Sequence, residues 1–159
     1  MRITIICIGK IKEKFYREAL AEYVKRLSKY CKLDIIELAD EKTPDGASEN
    51  VCDQILSKEA GRINDKLPDN AYIIATAIEG HRFNSVEFAK HINNTMLSGH
   101  SHVVFIIGGS LGIHESIKKK ADILISFSDM TFPHQLMRVI LTEQIYRAFR
   151  ILNNEPYHK

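Results

Sequence analysis

The chain has no tryptophan, only four prolines and only three cysteines in 159 residues. Cys7, Cys31 and Cys52 are odd in number and far apart, with no Cys-x-x-Cys pair. That argues against a disulfide framework and against a zinc cluster, and no metal is expected. No run of eighteen apolar residues occurs, and no basic start leads into an apolar signal segment. The expectation is a cytoplasmic protein with neither a membrane span nor a secretion signal. Repeats, low-complexity tracts and linkers are also missing, so residues 1–159 are expected to form a single domain with a real core.

The composition that remains, 45% hydrophobic and 26% charged, is that of an ordinary globular protein. Its net charge of +2 hides an asymmetry. Residues 1–32 hold nine Lys/Arg against three acids, residues 33–133 hold nine against fifteen, and the rest hold four against two. Basic ends around an acidic middle suit one positive face and a polyanionic partner, although a solvated helix surface reads the same way.

Apolar β-branched runs over residues 2–8, 33–38, 71–78, 102–107 and 122–127 predict five strands. The third is expected to close at Glu79-Gly80. Between them lie helical patterns: residues 15–30 with a basic outer face, about 49–66 stopped by Pro68, a segment opened by an Asn84/Glu87 capping box and ended near Gly99, and a short stretch containing Lys118-Lys119-Lys120. A long helix follows Pro133, and residues 40–48 read as a polar loop with freedom to move. Strands alternating with helices predict an α/β fold with a mostly parallel five- to six-stranded sheet.

Three strand exits carry chemistry. Gly108-Gly109-Ser110-Leu111-Gly112 comes directly after a buried strand, where open α/β sheets place ligands. Bare backbone N–H groups there approach a ligand closely, though a plain strand-to-helix turn also explains the glycines. Glu79-Gly80 follows the third strand. Residues 126–133 (SFSDMTFP) follow the fifth, their backbone suited to a purine edge and Phe127, Met130 and Phe132 to an apolar slot. One shared cofactor pocket competes with a hydrophobic loop packed over the core.

The last helix is almost wholly apolar, and its polar residues are of the types that grip phosphate and move protons. His134, Arg138 and Thr142 fall within about 80° on one face. Glu143 and Arg147 form an i, i+4 pair with the acid first. His134 lies in the first turn, where burial and the dipole favour a neutral imidazole; a capping histidine is the plainer reading. Met137, Leu141, Ile145, Ala148 and Leu152 make one apolar stripe, and Val139, Ile140 and Tyr146 a second. Such width predicts burial against both the sheet and a partner subunit. Tyr157, His158 and Lys159 offer a ring, a titratable donor and a cation to RNA, or simply a polar tail.

Taken in order, these motifs meet a family. Gly9-Lys10, Ile107-Gly108-Gly109-Ser110-x-Gly112, Ser126-Phe127-Ser128-x-Met130-Thr131-Phe132-Pro133-His134, Glu143-Gln144-x-Tyr146-Arg147-Ala148 and Pro156-Tyr157-His158-Lys159 closely resemble the RlmH family of bacterial large-subunit rRNA pseudouridine methyltransferases, of the SPOUT class. The resemblance runs from end to end. It implies a C-terminal deep trefoil knot, an exception to the rule against threaded chains. It also implies S-adenosylmethionine bound in that knot, a homodimer, and methylation of N3 of a pseudouridine in the helix 69 stem-loop of 23S rRNA on the assembled 70S ribosome. By position, the cofactor residues are Thr76, Gly108, Phe127, Ser128, Asp129, Met130, Thr131 and Phe132. Thr76 stands where the family generally has leucine, so weaker packing with retained binding is expected.

The chemistry then asks for removal of an imide proton. His134 or the partner subunit's His158 is expected as base or relay. Arg138 and Arg147 are expected to orient phosphates or stabilise the uracil anion, and Glu143 to hold Arg147. The helix stripe would pair the subunits, and Tyr157 and His158 would work across their interface. A non-catalytic ribosome-binding or assembly factor with the same basic face is the competing class, and a nucleotide-binding α/β enzyme of other chemistry is a third.

Overall fold

In the computed structural model, which describes residues 1–159, five strands and five helices alternate. They are β1 (Arg2–Ile8), α1 (Lys14–Leu27), β2 (Lys32–Leu38), α2 (Glu49–Asn64), β3 (Tyr72–Arg82), α3 (Ser85–Leu97), β4 (His102–Ile107), α4 (Glu115–Lys120), β5 (Ile123–Ser126) and α5 (His134–Leu152). The strands form one sheet of order β2-β1-β4-β3-β5, with every neighbouring pair parallel. The expected α/β class with a parallel sheet is what the chain adopts.

β1 and β4 read as continuous apolar runs because both of their faces are covered. Ile3, Ile5 and Cys7 join Val103, Phe105 and Ile107 in a core shared with α5, whereas Ile6 and Ile8 join Val104 and Ile106 in a second core with Ile63 and Ile117. Thus α1, α3 and α5 cover one face and α2 and α4 the other. Cys7 is a buried core residue, and burial pushes its thiol up to about 12. The capping box forms as expected: Asn84 accepts from the Glu87 N–H, and the Glu87 carboxylate accepts from the Asn84 N–H. No helix is long and apolar enough to cross a membrane.

Three expectations need correction. First, α1 stops at Leu27; Tyr30 leaves the helix and stacks on Phe149 with ring centres 5.6 Å apart. Second, β5 is trimmed to Ile123–Ser126, while β3 does not close at Glu79-Gly80 but continues to Arg82. Thr76 and His81 both register with Ile125, so residues 77–80 bulge outward between them. Gly80 is what permits this, because a Cβ there would lie 2.6 Å from the Ile125 carbonyl carbon. It closes two backbones together rather than ending a strand.

Third, the first stripe of α5 is not left for a partner. Met137, Leu141, Ile145 and Ala148 are buried in the chain's own core, because α5 lies between α1 and α3 as well as on the sheet. Val139 and Ile140 stay half-buried on its outer side.

Replacing Gly80 with valine should lower the unfolding free energy by about 1–3 kcal/mol, the usual cost of overpacking. Urea denaturation measures this, and wild-type stability in the variant would contradict the close approach.

Candidate active site

The C-terminal ends of β3, β4 and β5 open into a cavity of about 340 Å³. One wall is the glycine loop after β4, closed on itself by a Gly112 N–H to Gly109 carbonyl bond of 3.1 Å. A Cβ on Gly108 would sit 2.2 Å from the Gly112 carbonyl oxygen, so any side chain there would force this wall apart. The bulge of β3 supplies Ala77, Ile78 and Glu79, with Glu79 paired to Lys118 at the rim. Residues 127, 128 and 130–132 form the opposite wall. That segment is shaped by Ser128, whose hydroxyl accepts from the Met130 N–H at 2.9 Å and whose carbonyl accepts from the Ser126 hydroxyl at 3.1 Å. Met130 is 74% exposed and Ile78 53%, so two large apolar side chains lie open at the mouth. Apolar walls with bare backbone between them are what a flat heteroaromatic ligand needs.

Seven of the eight positions expected to hold a cofactor line this cavity: Thr76, Gly108, Phe127, Ser128, Met130, Thr131 and Phe132. Asp129 does not; its carboxylate turns away to pair with Arg82. The Thr76 hydroxyl donates to the Ile106 carbonyl at 3.1 Å and is thereby satisfied inside the sheet. The loop over residues 40–48, read as a polar loop with freedom to move, is held over its first residues. Glu59 accepts from the Glu41 N–H at 3.0 Å, Arg62 donates to the Ala39 carbonyl at 2.8 Å, and Thr43 meets Ser110 at 3.4 Å.

His134 sits at the cavity wall, its Nε2 only 3.0 Å from where a Gly9 side chain would begin. Burial, and after it the positive charge of Arg138, hold its pKa below the ordinary value. The ring is therefore neutral near pH 7 and free to accept a proton.

Arg138 is placed differently from its expected role. It is fully buried beneath the site, with its guanidinium donating to Glu37 at 2.6 Å, to the Gly9 carbonyl at 2.6 Å and to the Ile8 carbonyl at 3.0 Å. A group so enclosed positions the turn under His134 and does not reach a phosphate. Glu37 was not legible as a site residue; its one signal was an acid near the end of an apolar strand. Gln135 was missed as well: its side-chain oxygen accepts from the N–H groups of Lys12 and, more weakly, Glu13.

The other expected residues gather elsewhere. Glu143 accepts from Arg147 at 2.6 Å and from the Tyr157 hydroxyl at 3.0 Å. Arg147 lies 4.7 Å over the Tyr157 ring and 3.4 Å from His158 Nδ1. Burial and the neighbouring Glu143 push the Tyr157 phenol up. At 1.5 Å per residue, Glu143 stands about 13 Å along α5 from His134. The chain therefore brings Glu143, Arg147, Tyr157 and His158 together but not into the cavity. His158 instead lines a second hollow of about 560 Å³ with Phe83 and Gln144, on the other side of the Ile125–Phe127 wall. No group of three or more His, Cys, Asp or Glu side chains is arranged to hold a metal ion.

The chain is thus an α/β protein with a parallel sheet, a cavity built from three strand exits and a helix returning across them. A sequence profile described as "Predicted SPOUT methyltransferase" matches residues 1–158. The ribosomal RNA large subunit methyltransferase H of Bifidobacterium adolescentis is 58% identical over 159 residues, covering 100% of both chains. The protein of that name from Streptococcus uberis is 55% identical, again over 100% of both. A probable methylase family protein from Haemophilus influenzae superposes with a TM-score of 0.58 at 14% identity, covering 99% of this chain and 70% of that one, a likeness of fold alone. The chain belongs to the SPOUT methyltransferases, within the ribosomal RNA large subunit methyltransferase H (RlmH) family.

Titration of His134 by NMR should give a midpoint below 6.5. A lowered folded value means the unfolded chain binds the proton first, so His134 withdraws stability as pH falls below 6.5 and is neutral above it. The stability gap between wild type and His134→Gln should therefore shift against wild type between about pH 7 and pH 5. A midpoint above the ordinary value would contradict the assigned environment.

Proposed function

We propose that this protein is an S-adenosylmethionine-dependent methyltransferase of large-subunit rRNA. It acts at N3 of a pseudouridine in the helix 69 stem-loop of 23S rRNA on the assembled 70S ribosome, and works in the cytoplasm as a homodimer of single SPOUT domains with a C-terminal knot. The observation that carries the reading is the identity over whole chains with relatives named as ribosomal RNA large subunit methyltransferase H, joined to a cavity lined by the matching loops.

The residues present fit the cofactor. The cavity is large enough, its glycine wall cannot bear a Cβ at Gly108, and its opposite wall offers Phe127, Met130 and Phe132 beside exposed backbone. When bound, S-adenosylmethionine supplies an electrophilic methyl group on a sulfonium. In this reading Gly108 and residues 127–132 hold it, with Asp129 fixing the loop through Arg82, and Thr76 packs against it without offering a donor.

An imide N3–H is a weak acid, so its proton must leave as the nitrogen is methylated. His134, neutral and at the cavity wall, is the residue in this subunit placed to take it. The partner subunit's His158 is the second candidate. Arg147, held by Glu143 and stacked on Tyr157, is suited to a phosphate or a developing uracil anion, with the tail at the dimer interface. Arg138 supports the turn beneath His134. The outer side of α5, with Val139 and Ile140 half-buried, is the surface left for pairing subunits.

Incubation of the protein with labelled S-adenosylmethionine and 70S particles, separated subunits or naked rRNA, followed by mass mapping, should place one methyl on the helix 69 pseudouridine of 70S particles. Calorimetry that detects no binding of S-adenosylmethionine would sink the reading and leave a non-catalytic ribosome binder. Deleting residues 157–159 should abolish transfer while cofactor affinity stays within about twofold. His134→Ala should lower kcat by roughly 100-fold or more, the usual scale of general-base catalysis. Full activity in the latter would remove His134 from the mechanism.

A further inference from the structure

The cavity lies at the C-terminal ends of the strands, and a second feature lies at the opposite end of the sheet. There α1 and α5 finish side by side. Lys25 and Arg26 are exposed on α1 and Lys29 in the turn after it, and with Glu22 of α1 and Arg150 of α5 they surround a shallow recess of about 180 Å³ walled by Tyr30 and Tyr146. The Arg26 guanidinium lies 5.7 Å from the Tyr23 ring centre and 5.8 Å from that of Tyr146, and Arg150 lies 5.9 Å from the latter. Tyr146 meets Tyr157 edge-on at 4.9 Å, which continues the series into the tail and to Arg147. The outcome is a ridge of cations and rings where α1 and α5 finish, bordered by the tail that the proposed dimer covers.

The charges on this ridge are not all neutralised. Arg26 is held by Glu22 and Arg150 by Glu155, which fixes both guanidiniums in place. Lys25, in the last turn of α1, and Lys29, in the turn that follows it, have no carboxylate within ion-pair distance. Arg26 bonds Glu22 through Nε alone and keeps its outer N–H edge for a further acceptor, whereas Arg150 is taken by Glu155, the Tyr30 hydroxyl and the Pro156 carbonyl, so the surface combines one oriented fork with two mobile point charges over a fixed cation. Repeated anionic oxygens beside flat rings are the chemistry that complements it. A second copy of the chain would bring the same sign of charge to a two-fold contact and fits poorly.

We propose that this ridge, centred on Lys25, Lys29, Arg26 and Arg150, is a docking surface for an RNA backbone, separate from the cofactor cavity. The inference rests on the reading of the protein as an rRNA methyltransferase. With strands of about six residues rising 3.3 Å each, the ridge and the cavity are roughly 20 Å apart. The RNA is thus gripped at one end of a subunit and modified at a strand-exit site.

The test is the double variant Lys25→Gln/Lys29→Gln in the full chain. Both residues are exposed, so folding should be intact. Affinity for 70S particles and for a 23S rRNA stem-loop is measured from about 50 to 200 mM salt. Each lost phosphate contact lowers the slope of log affinity against log salt by roughly 0.7–0.9, so the variant's slope should be shallower by about 1.4–1.8. The charge-matched control Lys66→Gln/Lys90→Gln, with Lys66 exposed in the turn after α2 and Lys90 exposed on α3, should keep the wild-type slope. Affinity for S-adenosylmethionine and oligomeric state should not change. An unaltered slope in the first variant, or an equal loss in the control, overturns the proposal. A changed oligomeric state also overturns it and makes the ridge a contact between copies. Absence of cofactor binding in the wild type would defeat the methyltransferase reading alone, since the salt slopes remain readable without it.

Discussion

The Arg138 guanidinium, wholly withdrawn from solvent, donates to the Glu37 carboxylate and to the carbonyls of Ile8 and Gly9, and so fastens the last helix to the exits of β1 and β2. A charge enclosed in this way is tolerable only while every partner stays in place; removing one such partner typically costs about 3–5 kcal/mol. The consequence is geometric. His134 lies one helical turn before Arg138 and rests on Gly9, so one ion pair sets both the start of α5 and the floor of the candidate site. Gln135 adds its own bonds to the backbone of Lys12 and Glu13. With the helix anchored there, the chain leaving β5 must cross the strand ends to reach it, and that crossing is the cavity's outer wall.

The same anchoring gives α5 two differently built ends. Its first turn faces the cavity. Its last turns carry Glu143, Arg147 and Arg150, together with the returning tail, toward the far edge of the sheet. The rings of Tyr146 and Tyr157 bind that far end into one surface with α1. A helix that is apolar nearly all round can serve both ends because α1, α3 and the sheet cover its width within one chain. Only its outer side remains for other contacts.

Much of this was legible in the residues. Unbroken β-branched runs at 2–8 and 102–107 are a direct consequence of strands covered on both faces, and Asn84 with Glu87 marked a helix start that forms with both reciprocal bonds. The glycine loop and the segment after β5 stood out because both follow buried strands with residues that cannot serve packing alone. What was hidden depends on distance in space. Gly80 looks like a strand terminator until Ile125 is beside it, and only then does its missing Cβ explain the bulge. Wheel angles placed Arg138 with His134 on one face, yet the partner that defines its role, Glu37, is 101 residues away in the chain. Thr76, where the resemblance implied a leucine, leaves no unsatisfied hydroxyl, since the neighbouring strand accepts it. The tail was read as part of a site at the terminus; it does assemble with Glu143 and Arg147, but apart from the cavity within one chain.

The central claim is that the strand-exit cavity holds S-adenosylmethionine while Arg138 stays beneath it as a fixed support. The most direct measurement is a crystal structure of the protein grown with S-adenosylmethionine. The account predicts ligand density between the Gly108–Gly112 loop and residues 127–132, with His134 at its edge and the Arg138 bonds to Glu37 and Gly9 intact. Ligand density elsewhere, or an Arg138 guanidinium swung out to touch the ligand, would contradict it.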